Sequence, residues 1–386
     1  MTATLRTDAA ALEAVARMLG PVAPAGPARS YVVLPRRDRP RYALPTSGRH
    51  AGGTVLRPGT GRGAAATRLA LVTALRLGAG RLVPGALRVA DGTDGDPSLR
   101  RHLAAVLGHD GVDLAVALGA PRPNRKPVIQ VIDGDGTTRA WVKVGVDAHT
   151  DDLVGHEADT LLRHQPAPPV VAPTVLATGD WHGHRFLALA PLDMTETGGD
   201  LDIGAAAARA VAGAATSEPV LDGAWWKGLV AAADDPAVDP EGRLADVLAR
   251  LAPALAGRTW PFGAWHGDLA PWNATWEGDR LLVWDWERAT EPVPLGLDLV
   301  HNRLMVAMLR EGAGLAPAVA AVRAREDGTL VELGYAAEEV PLVVAAYLAT
   351  LRARYAADAR FGPLGAAGPL ASAIDDDRTL GGTVAP

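Results

Sequence analysis

The chain has 386 residues, a net charge of −6, 48% hydrophobic and 21% charged residues, and no cysteine. That length allows two or three lobes with a sizeable core; the composition is globular, no apolar run is long enough to span a bilayer, and disulfides and thiolate metal sites are excluded. Charge is unevenly placed: residues 1–110 hold 16 Arg against 7 Asp and Glu, a balance of +9 that leaves −15 on the remaining 276, as in a basic extension docked on acidic lobes, an acidic cleft that attracts a cation, or two solvated faces.

Leu12, Val15, Ala16 and Leu19 recur at helical spacing and Gly20-Pro21 stops that helix. Asp8 and Glu13 within it make it amphipathic and unlike a signal peptide, so a cytoplasmic protein is expected. Tyr31–Leu34 and Tyr42–Leu44 predict two short strands around the turn RRDRPR. Its arginines could contact phosphates, but the interleaved aromatics of a single-strand platform are missing, and nucleic acid is not an expected partner. A further helix is predicted over Ala64–Leu77, stopped by Gly78 to Gly80.

From Asp110 the pattern becomes that of a strand meander: Leu114–Gly119, Pro127–Asp133 and Arg139–Val146, with the tight turn Asp133–Gly136 between the last two. Lys143 stands on the third of these strands between Val142 and Val144, where an ammonium needs an anionic partner. Lysine is rare here (Lys126, Lys143 and Lys227 only), so this strand keeps one in a chain that otherwise uses Arg. A helix of about His149–His164 follows and carries Glu157. Val170–Ala177 and His184–Leu189 are read as completing a small sheet, and Ala190-Pro191-Leu192 as a hinge into a helical region. That region comprises helices over Ile203–Ala215, Trp225–Ala233, Leu244–Leu255, Leu297–Leu309, Leu315–Ala324 and Glu338–Ala356, and a Gly- and Asp-rich end expected to fray.

The stretch Ala264–Asp298 carries the chemistry. It reads AWHGDLAPWNATWEGDRLLVWDWERATEPVPLGLD: a His, an Asp and, five residues after the Asp, an Asn in a loop, then a hairpin whose second strand ends in another Asp. Phosphoryl transfer asks a protein mainly to position groups and neutralise charge. Asp268 is the candidate carboxylate at an acceptor hydroxyl, and Asn273 and Asp285 offer the oxygens that magnesium prefers. Leu269 anchors the loop from beneath and His266 is expected to brace it by hydrogen bonds. The chain contains only Asn124, Asn273 and Asn302 as asparagines, which favours a functional Asn273 over a turn former. Six of the ten Trp fall between Trp260 and Trp286; Trp284 is expected in the core, Trp272 beside the cleft as a wall for a sugar, and Asp298 as an N-cap or loop brace.

The loop has the spacing of the kinase signature H-R-D-L-x-x-x-N, with Gly267 in place of its Arg, and DWE stands where kinases have D-F-G. HGDLAPWN followed by VWDWERA and PLGLD resembles the aminoglycoside phosphotransferase and choline kinase-like family, over residues 264–298 above all, less closely over about 113–192, and not before about residue 100. The resemblance implies an α+β, two-lobed protein-kinase-like fold with an antiparallel β lobe and a larger helical lobe. Here these are residues 111–192 and 193–386, preceded by a basic accessory region at 1–110. It further implies ATP and Mg2+ as cofactors, Lys143 on the phosphates with Glu157 pairing it, and Ala190 and Leu192 in the backbone hinge that holds adenine. The loop GAPRPNRKP lacks G-x-G-x-x-G, so its phosphate contacts fall to backbone amides, Arg125 or Lys126.

The expected activity is transfer of the γ-phosphoryl to a hydroxyl of a small polar molecule: an amino sugar, sugar, aminoglycoside or amino alcohol. Asp193, Glu196, Asp200, Asp202, Asp222 and Glu287 would favour a cationic acceptor. A Ser/Thr kinase acting on a peptide or protein would use the same core, but DWE runs into PVPLGLD with no activation segment. A non-catalytic nucleotide-binding module would have no use for the intact set of Lys143, Asp268, Asn273 and Asp285.

Overall fold

Residues that alternate between two faces dictate the architecture of the first half of the chain. The structure, a computed structural model, describes residues 8–21, 28–46, 48–53, 73–75, 77–79, 86–90, 97–119, 124–194, 202–310, 312–324, 328–361 and Ile374. It divides into two compact units, Met1–Ala158 with Thr174–Pro191, and Asp159–Pro173 with Leu192–Pro386. The α+β class expected from the sequence is what the structure shows.

The first unit holds α1 (Asp8–Leu19), β1 (Arg29–Arg36), β2 (Arg39–Pro45), α2 (Gly48–Gly53), β3 (Leu87–Val89), α3 (Leu99–Leu107), β4 (Asp113–Ala117), β5 (Val128–Ile132) and β6 (Thr138–Val144). Most of α4 (Ala148–Arg163), together with β8 (Val175–Trp181) and β9 (His184–Leu189), completes it; β7 (Val170–Val171) belongs to the second unit. Among the described residues one antiparallel sheet runs in the order β3-β1-β2-β4-β5-β6-β9-β8. The basic N-terminal region therefore continues the sheet: β2 pairs with β4 through Tyr42↔Ala117 and Ala43↔Val116. Successive residues face opposite sides. Tyr31, Val33, Leu114 and Val116 join α1 and α3 in one core with Val15, Leu19, Leu99 and Leu103, while Val32, Leu44 and Ala115 pack on the other side against Ala51 and Leu75.

Two acidic residues fix this junction. Asp8 in the first turn of α1 accepts from Arg41 at 2.7 Å and from Arg125 at 3.3 Å, and its carboxyl is held below the ordinary value chiefly by the Arg41 hydrogen bond. Asp113, fully buried, accepts from Tyr31 Oη and, at 3.1 Å, from Arg29.

The second unit is mostly helical. It contains α5 (Ala205–Ala212), β10 (Thr216–Pro219), α6 (Ala224–Asp234), α7 (Arg243–Leu255), β11 (Thr259–Trp265), β12 (Ala274–Glu277), β13 (Arg280–Val283), β14 (Thr290–Pro294), α8 (Leu297–Arg310), α9 (Leu315–Ala324), α10 (Thr329–Glu332) and α11 (Val340–Ala359). Consecutive residues Val343 to Ala349 of α11 are all buried. A helix apolar all round belongs inside a bundle, and α6, α7, α8 and α9 surround it. Two three-stranded sheets, β10-β11-β14 and β12-β13-β7, complete the unit.

The sequence reading needs two corrections. Val170–Ala177 is two strands: Val170 and Val171 pair parallel with Leu281 and Leu282, and only Val175 onward joins β9, because Pro173 lies between and offers no N–H to a ladder. The strands β10, β11 and β14 were not expected; β11 carries Pro261 and Gly263, which blur its pattern. The helix expected over Ala64–Leu77 lies mostly outside the described residues, of which Thr73 to Leu75 are helical, and the terminal stretch expected to fray lies outside them apart from Ile374.

Removing residues 1–110 would uncover the edge of β4 and strip α1, β1 and β3 from the shared core, and an open apolar edge promotes aggregation. The truncated chain should be markedly less soluble and unfold at lower temperature than the full chain in parallel thermal melts. Equal solubility and an unchanged Tm would contradict this account of the sheet.

Candidate active site

Gly267 has a φ of +81°, and a Cβ there would collide with the Arg288 carbonyl. Glycine at this point lets β11 run directly into the loop His266–Asn273. Two tight hydrogen bonds then curl the loop: Ala270 N–H to the Asp268 carbonyl at 2.9 Å and Asn273 N–H to the Ala270 carbonyl at 2.8 Å. Leu269 is fully buried beneath it, as expected.

His266, also fully buried, clasps the loop to the next strand. Its Nδ1 accepts from Asp268 N–H at 3.2 Å, which leaves Nε2 to donate to the Trp284 carbonyl at 3.0 Å. Burial lowers its pKa to about 4 although the charges of Asp268 and Asp285 pull the other way, so the ring is neutral in this tautomer. Asp298 takes the backbone from the other side, accepting from His266 N–H at 2.6 Å and Gly267 N–H at 3.1 Å. It is the loop brace the sequence suggested. Burial pushes its pKa up to about 7, against the pull of those two donors.

The Asp268 side chain, 29% exposed, is reachable from solvent. Its Oδ2 accepts from Asn273 Nδ2 at 2.9 Å and Trp272 Nε1 at 3.3 Å, and its Oδ1 from His301 Nε2 at 3.2 Å. Burial raises this carboxyl, but the His301 hydrogen bond and the charge of Arg354 outweigh it and hold Asp268 below the usual carboxylate value. Arg354 also donates to the Gly267 carbonyl and lies over the rings of Trp265 and Tyr355. Asn273, with its Nδ2 given to Asp268, keeps its single side-chain oxygen for another donor or a cation.

Asp285 sits two residues past the hairpin of β12 and β13, where Trp284 N–H donates to the Asn273 carbonyl at 2.9 Å and so places the DWE segment beside the loop. Its backbone is left-handed, φ 71° and ψ 57°, a conformation that among the described non-glycine residues only His182 shares as a positive φ. Such strain persists where surrounding structure fixes it and is concentrated at functional sites. Oxygens of Asp285 and Glu287 lie within 4.8 Å of each other. Neighbouring carboxylate oxygens of Asp285 and Glu287 are hard donors of the kind a small divalent cation such as magnesium takes, and the Asn273 side-chain oxygen is of the same kind.

In the first unit Lys143 Nζ lies 2.7 and 2.5 Å from the two carboxylate oxygens of Glu157, both side chains buried. Arg125 departs from its expected role. Its buried guanidinium donates to the Leu118 and Pro40 carbonyls and to Asp8, so it ties the β4–β5 connection to α1 and is not presented to a phosphate. Lys126 is likewise buried. Ala190 N–H donates to the Thr174 carbonyl at 2.8 Å and is therefore occupied, and Leu192 is half-buried. Asp193, Asp202 and Asp222 are exposed, whereas Glu196 and Asp200 lie outside the described residues.

Of the tryptophans, Trp272 is 43% exposed beside Asp268. Trp284, expected in the core, is half-buried, and it is Trp260 and Trp286 that are fully buried. Trp286 packs edge-on to His266 with ring centroids 4.9 Å apart. Sequence reasoning missed His301, Tyr347 and Arg354. His301 lies three residues after Asp298 on one helix, hence on the same face, a spacing that could have revealed it; the other two come from α11, far along the chain, and carried no signal.

No family model and no curated protein match the chain. Solved structures similar to it include a thermostable mutant of the aminoglycoside phosphotransferase APH(4)-Ia in ternary complex with ADP and hygromycin B, at 14% identity over 75% of this chain and 99% of that one, TM-score 0.49. The amicoumacin kinase hAmiN in complex with AMP-PNP, Ca2+ and Ami is 14% identical over 72% of this chain and 93% of that one, TM-score 0.42. A choline/ethanolamine kinase family protein from Mesorhizobium loti is 16% identical over 74% and 97%, TM-score 0.40.

Because folding depresses the pKa of His266 from 6.5 to about 4, its contribution to stability is fully present above pH 6.5 and is lost as pH falls through 4, by up to about 3 kcal/mol. Asp298, raised from 3.8 to about 7, has the opposite sign: its contribution is present below 3.8 and is lost as pH rises through 7. Urea unfolding of wild type and His266→Asn between pH 4 and 7 separates the two. The stability difference between them should shrink as pH falls; a difference independent of pH would mean that His266 is not the buried neutral clasp.

Proposed function

We propose that the protein is an ATP- and magnesium-dependent phosphotransferase that moves the γ-phosphoryl group to a hydroxyl of a small polar molecule. One observation carries this reading: a solvent-reachable Asp268 carboxylate, held ionised and fixed by three donors, stands in the same loop as Asn273, whose side-chain oxygen is left for a cation, while the strained Asp285 brings a carboxylate oxygen within 4.8 Å of one on Glu287. Phosphoryl transfer through a loose transition state needs that division: one carboxylate to orient the nucleophile and separate oxygens for the metal.

Asp268 accepts the hydroxyl proton of the acceptor as the oxygen attacks the γ-phosphorus and the bond to the β-phosphate oxygen breaks, with ADP as the leaving group. Asn273 and Asp285, with Glu287 nearby, would hold magnesium, which when bound neutralises phosphate charge. Lys143 pairs with the nucleotide phosphates and Glu157 fixes its ammonium on the strand. With the Ala190 N–H already given to Thr174, the Ala190 carbonyl and the backbone groups of Leu192 are left to hold the adenine. The exposed face of Trp272 walls the acceptor site, where a sugar or a cation can stack. An amine-bearing acceptor suits the −15 charge of residues 111–386. A mass-detected phosphorylation screen of amino sugars, neutral sugars, aminoglycosides and amino alcohols tests the activity and names the acceptor.

Two predictions follow from the role assignment. In Asp268→Asn, MgATP affinity should stay near wild type while turnover falls about 10²- to 10⁴-fold, the usual contribution of a positioned base. In Asp285→Asn, magnesium-dependent nucleotide binding and turnover should both fail. Calorimetric titration with ATP, with and without magnesium, decides between them, and the reverse pattern would exchange the two roles. For the acceptor, kcat/KM should fall as salt is raised, because screening shortens the Debye length to about 8 Å near physiological ionic strength; a neutral sugar that reacts best with salt-independent kinetics would refute the cationic acceptor.

A further inference from the structure

A carboxylate offers about four lone-pair sites, and three of those on Asp268 are already taken. Both on Oδ2 face N–H donors, Asn273 and Trp272, and one on Oδ1 faces His301. His301 is itself fixed from behind. Its Nδ1 lies 2.7 Å from the hydroxyl of Tyr347, and both residues are buried at 1% exposure or less. An ionised Asp268 can only accept, so Nε2 carries the ring proton, and Nδ1 must then accept from the Tyr347 O–H. Burial supports this tautomer on both sides: it lowers the His301 pKa, keeping the ring neutral, and raises that of Tyr347 well above its ordinary value, keeping the phenol protonated.

We infer that His301, backed by Tyr347, is a positioning residue: the relay Tyr347 O–H to His301 to Asp268 Oδ1 locks the carboxylate in one orientation and leaves a single lone pair, on Oδ1, for the acceptor hydroxyl. This rests on the phosphotransferase reading and adds a pair of residues to it. Without His301 the carboxylate would be held through Oδ2 alone and could pivot about that oxygen, moving Oδ1 off the acceptor, and small misplacements of a reacting group cost up to about 10²-fold in rate. The histidine here serves the base from behind without touching the substrate.

The test compares His301→Leu, His301→Gln and Tyr347→Phe with wild type and Asp268→Asn, in magnesium-dependent conversion of ATP to ADP with water or an amino sugar as acceptor. His301→Leu should lower kcat about 10- to 100-fold with the KM for MgATP within about twofold. His301→Gln, whose amide N–H reaches about as far as Nε2, should recover most of the loss, and Tyr347→Phe should fall between. In the Asp268→Asn background His301→Leu should add nothing, since a residue that acts only through Asp268 has no target left. Nitrogen NMR of wild type should show the His301 ring protonated on Nε2 alone at pH 7.

Wild-type kcat in His301→Leu, a Gln variant as poor as Leu, additive losses in the double variant, or a ring protonated on Nδ1 would each overturn the inference. If the Leu variant does not fold, the Gln and Tyr347→Phe variants and the NMR spectrum carry the test. Loss of turnover in Asp268→Asn with none in the His301 variants removes this inference alone; full turnover in Asp268→Asn removes the phosphotransferase reading and this inference with it.

Discussion

The site depends on one buried, uncharged imidazole. His266 joins the Asp268 backbone to the Trp284 carbonyl, so the two carboxylates to which different tasks are assigned are held to each other through a ring that cannot rotate without abandoning both bonds. Trp286 covers that ring edge-on and solvent is excluded from it. A charged imidazolium would have no acceptor for its Nδ1 proton, because Asp268 N–H occupies that side. Burial and hydrogen-bond geometry therefore act in the same direction, and the loop keeps its shape because the histidine stays neutral.

Helix α8 provides the second half of the frame from one face. Asp298, His301 and Asn302 stand at i, i+3 and i+4, neighbours on a helical surface. Asp298 accepts from the His266 and Gly267 N–H groups, His301 Nε2 donates to the Asp268 carboxylate, and Asn302 Nδ2 donates to the Leu269 carbonyl at 3.4 Å. A single rigid element thus reads four consecutive residues of the loop, and α11 supports it by placing Tyr347 behind His301 and Arg354 on the Gly267 carbonyl. A loop tied at this many points has little freedom to lose on binding a substrate, which is how a site achieves preorganisation.

The first unit solves a different problem. Lys143 lies on an inner strand where an isolated ammonium would be costly, and Glu157 on α4 supplies its counter-charge within hydrogen-bond reach. The strand that carries Lys143 is in turn embedded in a sheet extended by the N-terminal region, whose arginines are partly consumed in fastening it, Arg41 on Asp8 and Arg29 on Asp113, while Arg125 of the β4–β5 connection also holds Asp8. Some of the positive charge that the sequence concentrates before residue 110 therefore serves internal ion pairs.

By itself the sequence determined what is local. The loop His266–Asn273, the hairpin delivering Asp285, the strand carrying Lys143 and the helix carrying Glu157 could be read from short-range spacing, because turn chemistry, period-two alternation and helical periodicity act over a few residues. Only the tertiary structure decided which distant groups complete the site. Tyr347 and Arg354 approach the loop from a helix some eighty residues downstream; Arg125 is turned inward by Asp8, more than a hundred residues upstream; and Val170–Val171 leaves its apparent strand to pair with β13. Each of these follows from packing and from the need to satisfy buried polar groups, and no window of neighbouring residues encodes which partner the fold will bring.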